Sequence, residues 1–68
     1  MQGRALQSMR KERGMSQSEL AKKSGVNVRM IQHYEQGQKD INEAHCITAL
    51  KLSEALDCSI YDILNPRE

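Results

Sequence analysis

Apolar residues along this chain recur at helical spacings and never in the strict alternation of a half-buried strand. Leu6 and Met9 make a short apolar stripe that predicts a first helix from about Arg4 to Arg13, with Gly14 as its stop. Ser16 followed three residues later by Glu19 is a capping-box pair, which satisfies two orphan amides at a helix start. The helix it opens turns Leu20 and Ala21 inward and Lys22 and Lys23 outward, and stops at Gly25. Asn27 is a good N-cap for a third helix, Val28 to Gln36, with Ile31 and Tyr34 as its apolar pair and Gly37 as its end. Gln38 to Asn42 is a polar connection anchored by Ile41. A longer helix is expected over about Glu43 to Leu56, with Ala44, Ile47, Leu50, Leu52 and Leu56 on one broad apolar stripe. Asp57 ends it less comfortably than a glycine would. Ser59 then caps a last short helix, Ile60 to Leu64, which Asn65-Pro66 stops.

The pattern predicts an all-α fold of five short helices joined by tight connections. Its core is expected from Leu6, Met9, Leu20, Ala21, Val26, Ile31, Ile47, Leu50, Leu56, Ile60 and Ile63. Sixty-eight residues make a single domain spanning 1–68, with stability on the order of 3–10 kcal/mol. Trp and Phe are absent, so Leu, Ile, Val, Ala and Met must fill the interior.

No run of eighteen apolar residues exists, and Met1 to Arg10 lacks the apolar segment of a signal peptide. The expected location is the cytoplasm, with no membrane contact. Cys46 and Cys58 lie twelve positions apart and form no C-x-x-C pair. In that setting they read best as buried free thiols, with a disulfide or a metal site as the alternatives.

The net charge of +1 argues weakly against a nucleic-acid partner, but it conceals an asymmetry. Residues 1–39 carry eight basic and three acidic side chains; residues 40–68 carry two basic and six acidic ones. A basic half can face phosphates while an acidic half faces away. Catalytic patterns are missing: none of the serines has a plausible His and carboxylate arrangement. There is no H-E-x-x-H, P-loop or G-x-G-x-x-G, and His33 has no second ligand spaced for a metal. The chain therefore reads as non-enzymatic, with no cofactor and no metal.

The informative stretch is Gln17 to Gly37. Small Ala21 lets two helices approach where they cross, and Gly25 supplies a positive-φ residue for a tight turn. Leu20, Val26 and Ile31 pack beneath the turn. The second helix is then presented with its N-terminal side chains free to enter a major groove.

This stretch resembles the Cro/C1-type, or XRE, helix-turn-helix family. The resemblance rests on Arg10, Gly14, Ser16, Gln17, Leu20, Ala21, Gly25, Val26, Ile31, Glu35 and Gly37. It extends into Leu50 to Leu56 and Ile60 to Leu64, covering about residues 4–64. It implies a five-helix fold like that of the lambda repressor DNA-binding domain, with the motif at about 17–36. There are departures: Asp40 to Thr48 is about one turn longer than the common pattern, which suggests an early start to the fourth helix. Asp57 stands where the family often has Gly, and Ser53 where it often has Ala.

The resemblance also implies roles. Gln17 would anchor a phosphate, helped by the positive end of its helix. Val28, Arg29, Gln32 and His33 occupy base-reading positions. Arg29 can bridge guanine O6 and N7, Val28 can touch a thymine methyl, and Gln32 or His33 can read another base or hold a phosphate. Gln36, Gln38 and Lys39 would lie against the phosphates after the reading helix. Lys22 and Lys23 would stay near the DNA backbone or in solvent. Arg10 and Glu35 match a partly buried ion pair between the first and third helices. The implied function is sequence-specific binding of double-stranded DNA by a bacterial or phage transcriptional regulator, more a repressor than an activator. One motif reads only a few base pairs, so a homodimer, at least on DNA, is expected. The alternative is a protein-interaction module, such as an antitoxin, that keeps the fold without the DNA role.

Overall fold

A computed structural model describes residues 4–64. They form α1 (Arg4–Glu12), α2 (Gln17–Ser24), α3 (Val28–Glu35), a 3₁₀ turn (Ile41–Glu43), α4 (Cys46–Ala55) and a second 3₁₀ turn (Ile60–Asp62). The architecture is all-α, with no strand among the described residues. The expected fifth helix is the 3₁₀ turn Ile60–Asp62, and its expected stop at Asn65-Pro66 lies outside the described residues. No helix among the described residues is long and apolar enough to cross a membrane.

One core joins all the elements. Leu6, Leu20, Ile31, Ile41, Leu52, Leu56 and Ile63 are fully buried, with Val26 and Tyr34 beside them. Helix α2 packs against both α3 and α4, while α1 packs against α3 and the second 3₁₀ turn. Met9 and Ala21 are only half-buried against this core.

The α2–turn–α3 unit follows from its local chemistry. The Ser16 hydroxyl accepts from the Glu19 amide at 3.0 Å, and the Glu19 carboxylate accepts from the Ser16 amide at 2.9 Å. Both halves of the capping box are therefore formed. At the other end Gly25 has φ +78° and donates to the Ala21 carbonyl at 2.9 Å. A Cβ there would meet no atom within 4 Å, so the backbone conformation, and not space, calls for glycine. The Asn27 side chain then accepts from the Arg29 amide at 2.8 Å and opens α3.

Helix α4 corrects the sequence reading. Asp40 to Ala44 do not extend it; they form a separate 3₁₀ turn that the Asp40 carboxylate caps at the Asn42 amide, 2.9 Å away. The helix begins at Cys46, not Glu43. Ile47 and Leu50, expected in the core, are exposed at 64% and 44%. The reason is phase. Leu50 and Leu52 are about 200° apart around a helix, so they cannot share a face. The buried face is Ala49, Leu52, Ser53 and Leu56, with Ala55 at its edge. The Ser53 hydroxyl is satisfied by the Leu50 carbonyl at 2.9 Å. Cys46 is exposed and Cys58 half-buried, so Cys46 is not the buried thiol expected; both are free. Burial, reinforced by the nearby Asp62 carboxylate, pushes the Cys58 thiol pKa up. Ile60, also expected in the core, is half-buried.

Asp57 ends α4 with φ +53°, in the left-handed region that favours glycine. The Asp57 and Cys58 amides turn back to the Glu54 and Ser53 carbonyls at 3.1 and 3.0 Å. Arg13, just past α1, donates through Nε to the Leu56 carbonyl at 2.8 Å and through Nη2 to the Asp57 carbonyl at 3.3 Å. A guanidinium thus closes the negative end of α4.

Candidate nucleic-acid interface

Helix α3 has two unlike faces. At about 100° per residue, Val28, Arg29, Gln32, His33 and Gln36 fall within an arc of about 140°. Arg29 and Gln36 are exposed, and Val28, Gln32 and His33 half-buried. Ile31, Tyr34 and Glu35 occupy the opposite arc and are buried. Burial pushes the Tyr34 hydroxyl pKa up. Anchoring that inner face leaves the outer one to present five side chains with hydrogen-bonding, cationic and methyl groups. One atom beside that face, His33 Nδ1, is buried and has no hydrogen-bond partner among the described residues.

The chain after α3 folds back on the helix end. The Gln38 and Lys39 amides both donate to the His33 carbonyl, at 2.9 and 3.2 Å. Gly37, with φ +78°, makes the reversal. Gln36, Gln38 and Lys39 are all exposed, and Gln38 Nε2 donates to Gln36 Oε1 at 3.2 Å. Between α2 and α3 an open groove of about 360 Å³ is lined by Ser18, Ala21, Lys22, Val26, Asn27 and Val28.

Behind α3, Arg10 and Glu35 meet in a two-pronged pair. Nε lies 2.7 Å from Oε2 and Nη2 lies 3.0 Å from Oε1. Their side chains are 11% and 1% exposed. Arg10 Nη1 also donates to the Met15 carbonyl at 2.8 Å. Gln17, the first residue of α2, joins the same group: its Nε2 donates to Glu35 Oε1 at 3.0 Å. The pair belongs to the sequence reading; the Met15 and Gln17 contacts do not. Nothing in residue spacing announces a backbone acceptor, and the family resemblance gives Gln17 an outward role only.

These contacts sharpen the electrostatics. Of the three acids in residues 1–39, Glu35 is buried in the ion pair and Glu19 is bonded to the Ser16 amide. The Ser16 backbone N–H, with the Ser16 side chain, holds the Glu19 carboxyl below the usual carboxylate range. Only Glu12 is both exposed and outside such an arrangement, whereas Lys22, Lys23, Arg29 and Lys39 are exposed on or beside α2 and α3. The surface that carries the outer face of α3 is therefore cationic.

A helix-turn-helix family model matches residues 6–63. The chain belongs to the Cro/C1-type helix-turn-helix family. Solved structures of other proteins resemble this helix-turn-helix chain over most of its length. One is the restriction-modification controller protein C.AhdI from Aeromonas hydrophila, at 31% identity and a TM-score of 0.80. That match covers 91% of this chain and 89% of the controller. Another is SinR, the master regulator for biofilm formation, in complex with DNA. It is 32% identical with a TM-score of 0.82, covering 91% of this chain and 98% of that one. The N-terminal DNA-binding domain of SinR from Bacillus subtilis is 31% identical, with a TM-score of 0.76, covering 98% and 94% of the two chains. No curated protein sequence matches this helix-turn-helix chain.

Proposed function

We propose that the chain is a sequence-specific DNA-binding transcriptional regulator, acting as a repressor, with α3 as its reading helix. The observation that carries this is the outer face of α3. Val28, Arg29, Gln32 and His33 stand on one arc, and exposed Lys22 and Lys23 lie in the last turn of α2 and exposed Lys39 just after α3. In this reading Arg29 contacts a guanine edge, and Gln32, His33 and Val28 complete the base contacts. Gln17, Gln36, Gln38 and Lys39 hold the phosphates and fix the register. SinR, similar over 91% of this chain, has been solved on DNA, which supports the same use here.

The regulator binds as a homodimer, at least on DNA. Half-sites on one face of B-DNA repeat every ~34 Å. The described domain measures 31 × 21 × 21 Å, so two copies one turn apart fit side by side without overlap. Contact between them would be small, as suits a dimer completed on its operator. It acts by binding alone, in the cytoplasm, and has no catalytic step.

Selection of bound duplexes from a random DNA pool tests the proposal. The expected result is an enriched motif with two-fold symmetry and half-sites about one helical turn apart. No enrichment, together with no shift of non-specific DNA at low salt, overturns it and leaves the protein-interaction reading.

A further inference from the structure

The link between Gln17 and the buried ion pair has a consequence for DNA binding, and this inference rests on the function proposed above. Glu35 is an acceptor for three donors: Arg10 Nε, Arg10 Nη2 and Gln17 Nε2, at 2.7, 3.0 and 3.0 Å. Glu35 is 8% exposed, so it touches no ligand itself. Gln17 is half-buried at the start of α2, with one edge toward Glu35 and the rest toward the surface.

An amide side chain presents a donor on one end and an acceptor on the other, and a flip exchanges them. A carboxylate accepts only. With Nε2 committed to Glu35, the flipped amide is ruled out, because it would set two acceptors against each other. The second Nε2 hydrogen is given to no other described residue. It stays available for an anion at the α2 N-terminus, where the helix end is itself positive. The same carboxylate sits on α3 and is held by Arg10 of α1. One group thereby fixes the phosphate-holding amide in register with the reading helix. We infer that Glu35 is a positioning residue for DNA binding: it holds the Gln17 amide with its donor end committed, so that α2 grips a phosphate while α3 reads the groove.

The test is a cycle of binding affinities for a random-sequence duplex at low salt, because a phosphate contact carries no base identity. The proteins are the wild type, Gln17→Met, Glu35→Gln and the double variant, each confirmed folded by circular dichroism. Glutamine at 35 keeps the shape but offers one acceptor oxygen to the three donors that the two carboxylate oxygens serve, so an amide nitrogen replaces one acceptor and the Arg10 and Gln17 donors compete for the other. Each single change is expected to lower affinity about fivefold, the worth of one hydrogen bond. The double variant is expected to lose no more than Gln17→Met alone. An equal loss from Glu35→Gln with or without the Gln17 amide would overturn the inference and assign the effect to the fold.

Should Glu35→Gln fail to fold, the paired change of Arg10→Met with Glu35→Met removes both charges and keeps the volume apolar. It is expected to show the same loss as Gln17→Met. A further readout uses the wild type alone. In the free protein one of the two Gln17 Nε2 protons is expected to exchange with solvent more slowly than those of the exposed Gln36 amide. Equally fast exchange at both amides would sink the proposal. Binding by the wild type, with a loss in Gln17→Met but none in Glu35→Gln, overturns this inference while leaving the DNA-binding function standing. No binding by the wild type defeats the function first.

Discussion

The Arg10 guanidinium grips the Glu35 carboxylate with two hydrogen bonds across 25 positions of sequence, joining α1 to α3. With one side chain 11% and the other 1% exposed, little water reaches the pair. Removing one charge strands the other. Glu35→Gln is expected to cost roughly 2–4 kcal/mol, at the low end for a buried pair because Arg10 keeps its bond to the Met15 carbonyl. Arg10 removal should cost more, since Glu35 would keep only the neutral Gln17 donor. Urea denaturation of both single variants and the double variant measures the coupling. An exposed pair would give about 0–1 kcal/mol, so a coupling near zero would contradict the geometry.

Asp57 tests the helix end. Its φ of +53° puts a Cβ where only glycine sits without strain. Its backbone carbonyl already accepts from Arg13, and that bond survives any side-chain change. Asp57→Gly is therefore expected to stabilise the domain by about 1 kcal/mol, read as a shift in the urea midpoint at unchanged slope. Arg13→Ala should act oppositely, because it uncovers the Leu56 carbonyl. A destabilised Asp57→Gly variant would show that the aspartate side chain does something the backbone does not reveal.

The capping box makes a pH prediction. The Ser16 backbone and side chain hold the Glu19 pKa below the usual carboxylate range. A group whose folded pKa lies below its unfolded value stabilises the fold above the unfolded value. That contribution is lost as pH falls through the folded one. The part of the box's stability that depends on the Glu19 charge is thus complete at neutral pH and is lost in the acid range. In the wild type the Glu19 carboxyl should titrate by NMR at a lower midpoint than in Ser16→Ala. Coincident midpoints would mean that the Ser16 hydroxyl adds nothing to the backbone N–H in holding this carboxylate.

The helix-turn-helix was legible because its signals are local. A hydroxyl three residues before a carboxyl, a glycine at a turn and an asparagine cap each act within four positions. Ser16, Gly25 and Asn27 all do in the structure what those spacings say. Helix α4 is not legible in the same way, because its apolar residues wrap too far around the axis for spacing alone to choose a face. Packing of α4 with α2 and the second 3₁₀ turn decides which side is buried, and the buried residues of the helix are Ala49, Leu52, Ser53 and Ala55. The same holds for Gln17. Its position marks it as polar and at a helix start, but its partner Glu35 lies 18 residues away.

That choice of face can be measured. Leu52 is fully buried, so Leu52→Ala is expected to cost about 2–5 kcal/mol through lost contacts and a cavity. Ile47 is 64% exposed, so Ile47→Lys should change stability by no more than about 0.5 kcal/mol. Thermal or chemical melts of the two variants, at low protein concentration, decide it. Equal losses would restore the broad apolar stripe. A loss for Ile47→Lys that grows with protein concentration would instead place this face in a contact between copies.

Arg29 carries the test of base reading. It is exposed in the first turn of α3, held there by the bond from its own amide to the Asn27 side chain. That bond fixes the backbone and leaves the guanidinium free, with no partner of its own among the described residues. A guanidinium so placed can meet guanine O6 and N7 with two parallel donors, a fit that no other base edge repeats. Arg29→Ala should therefore relax preference at one position of each half-site by roughly 1–3 kcal/mol, leaving preferences elsewhere intact. It should also lower affinity for every duplex modestly, because a charge near the phosphates is lost. Titrations of the selected operator and its single-base variants, at one fixed salt concentration, separate the two effects. A uniform loss across all variants would make Arg29 a phosphate contact and move the reading of sequence to Gln32 and His33.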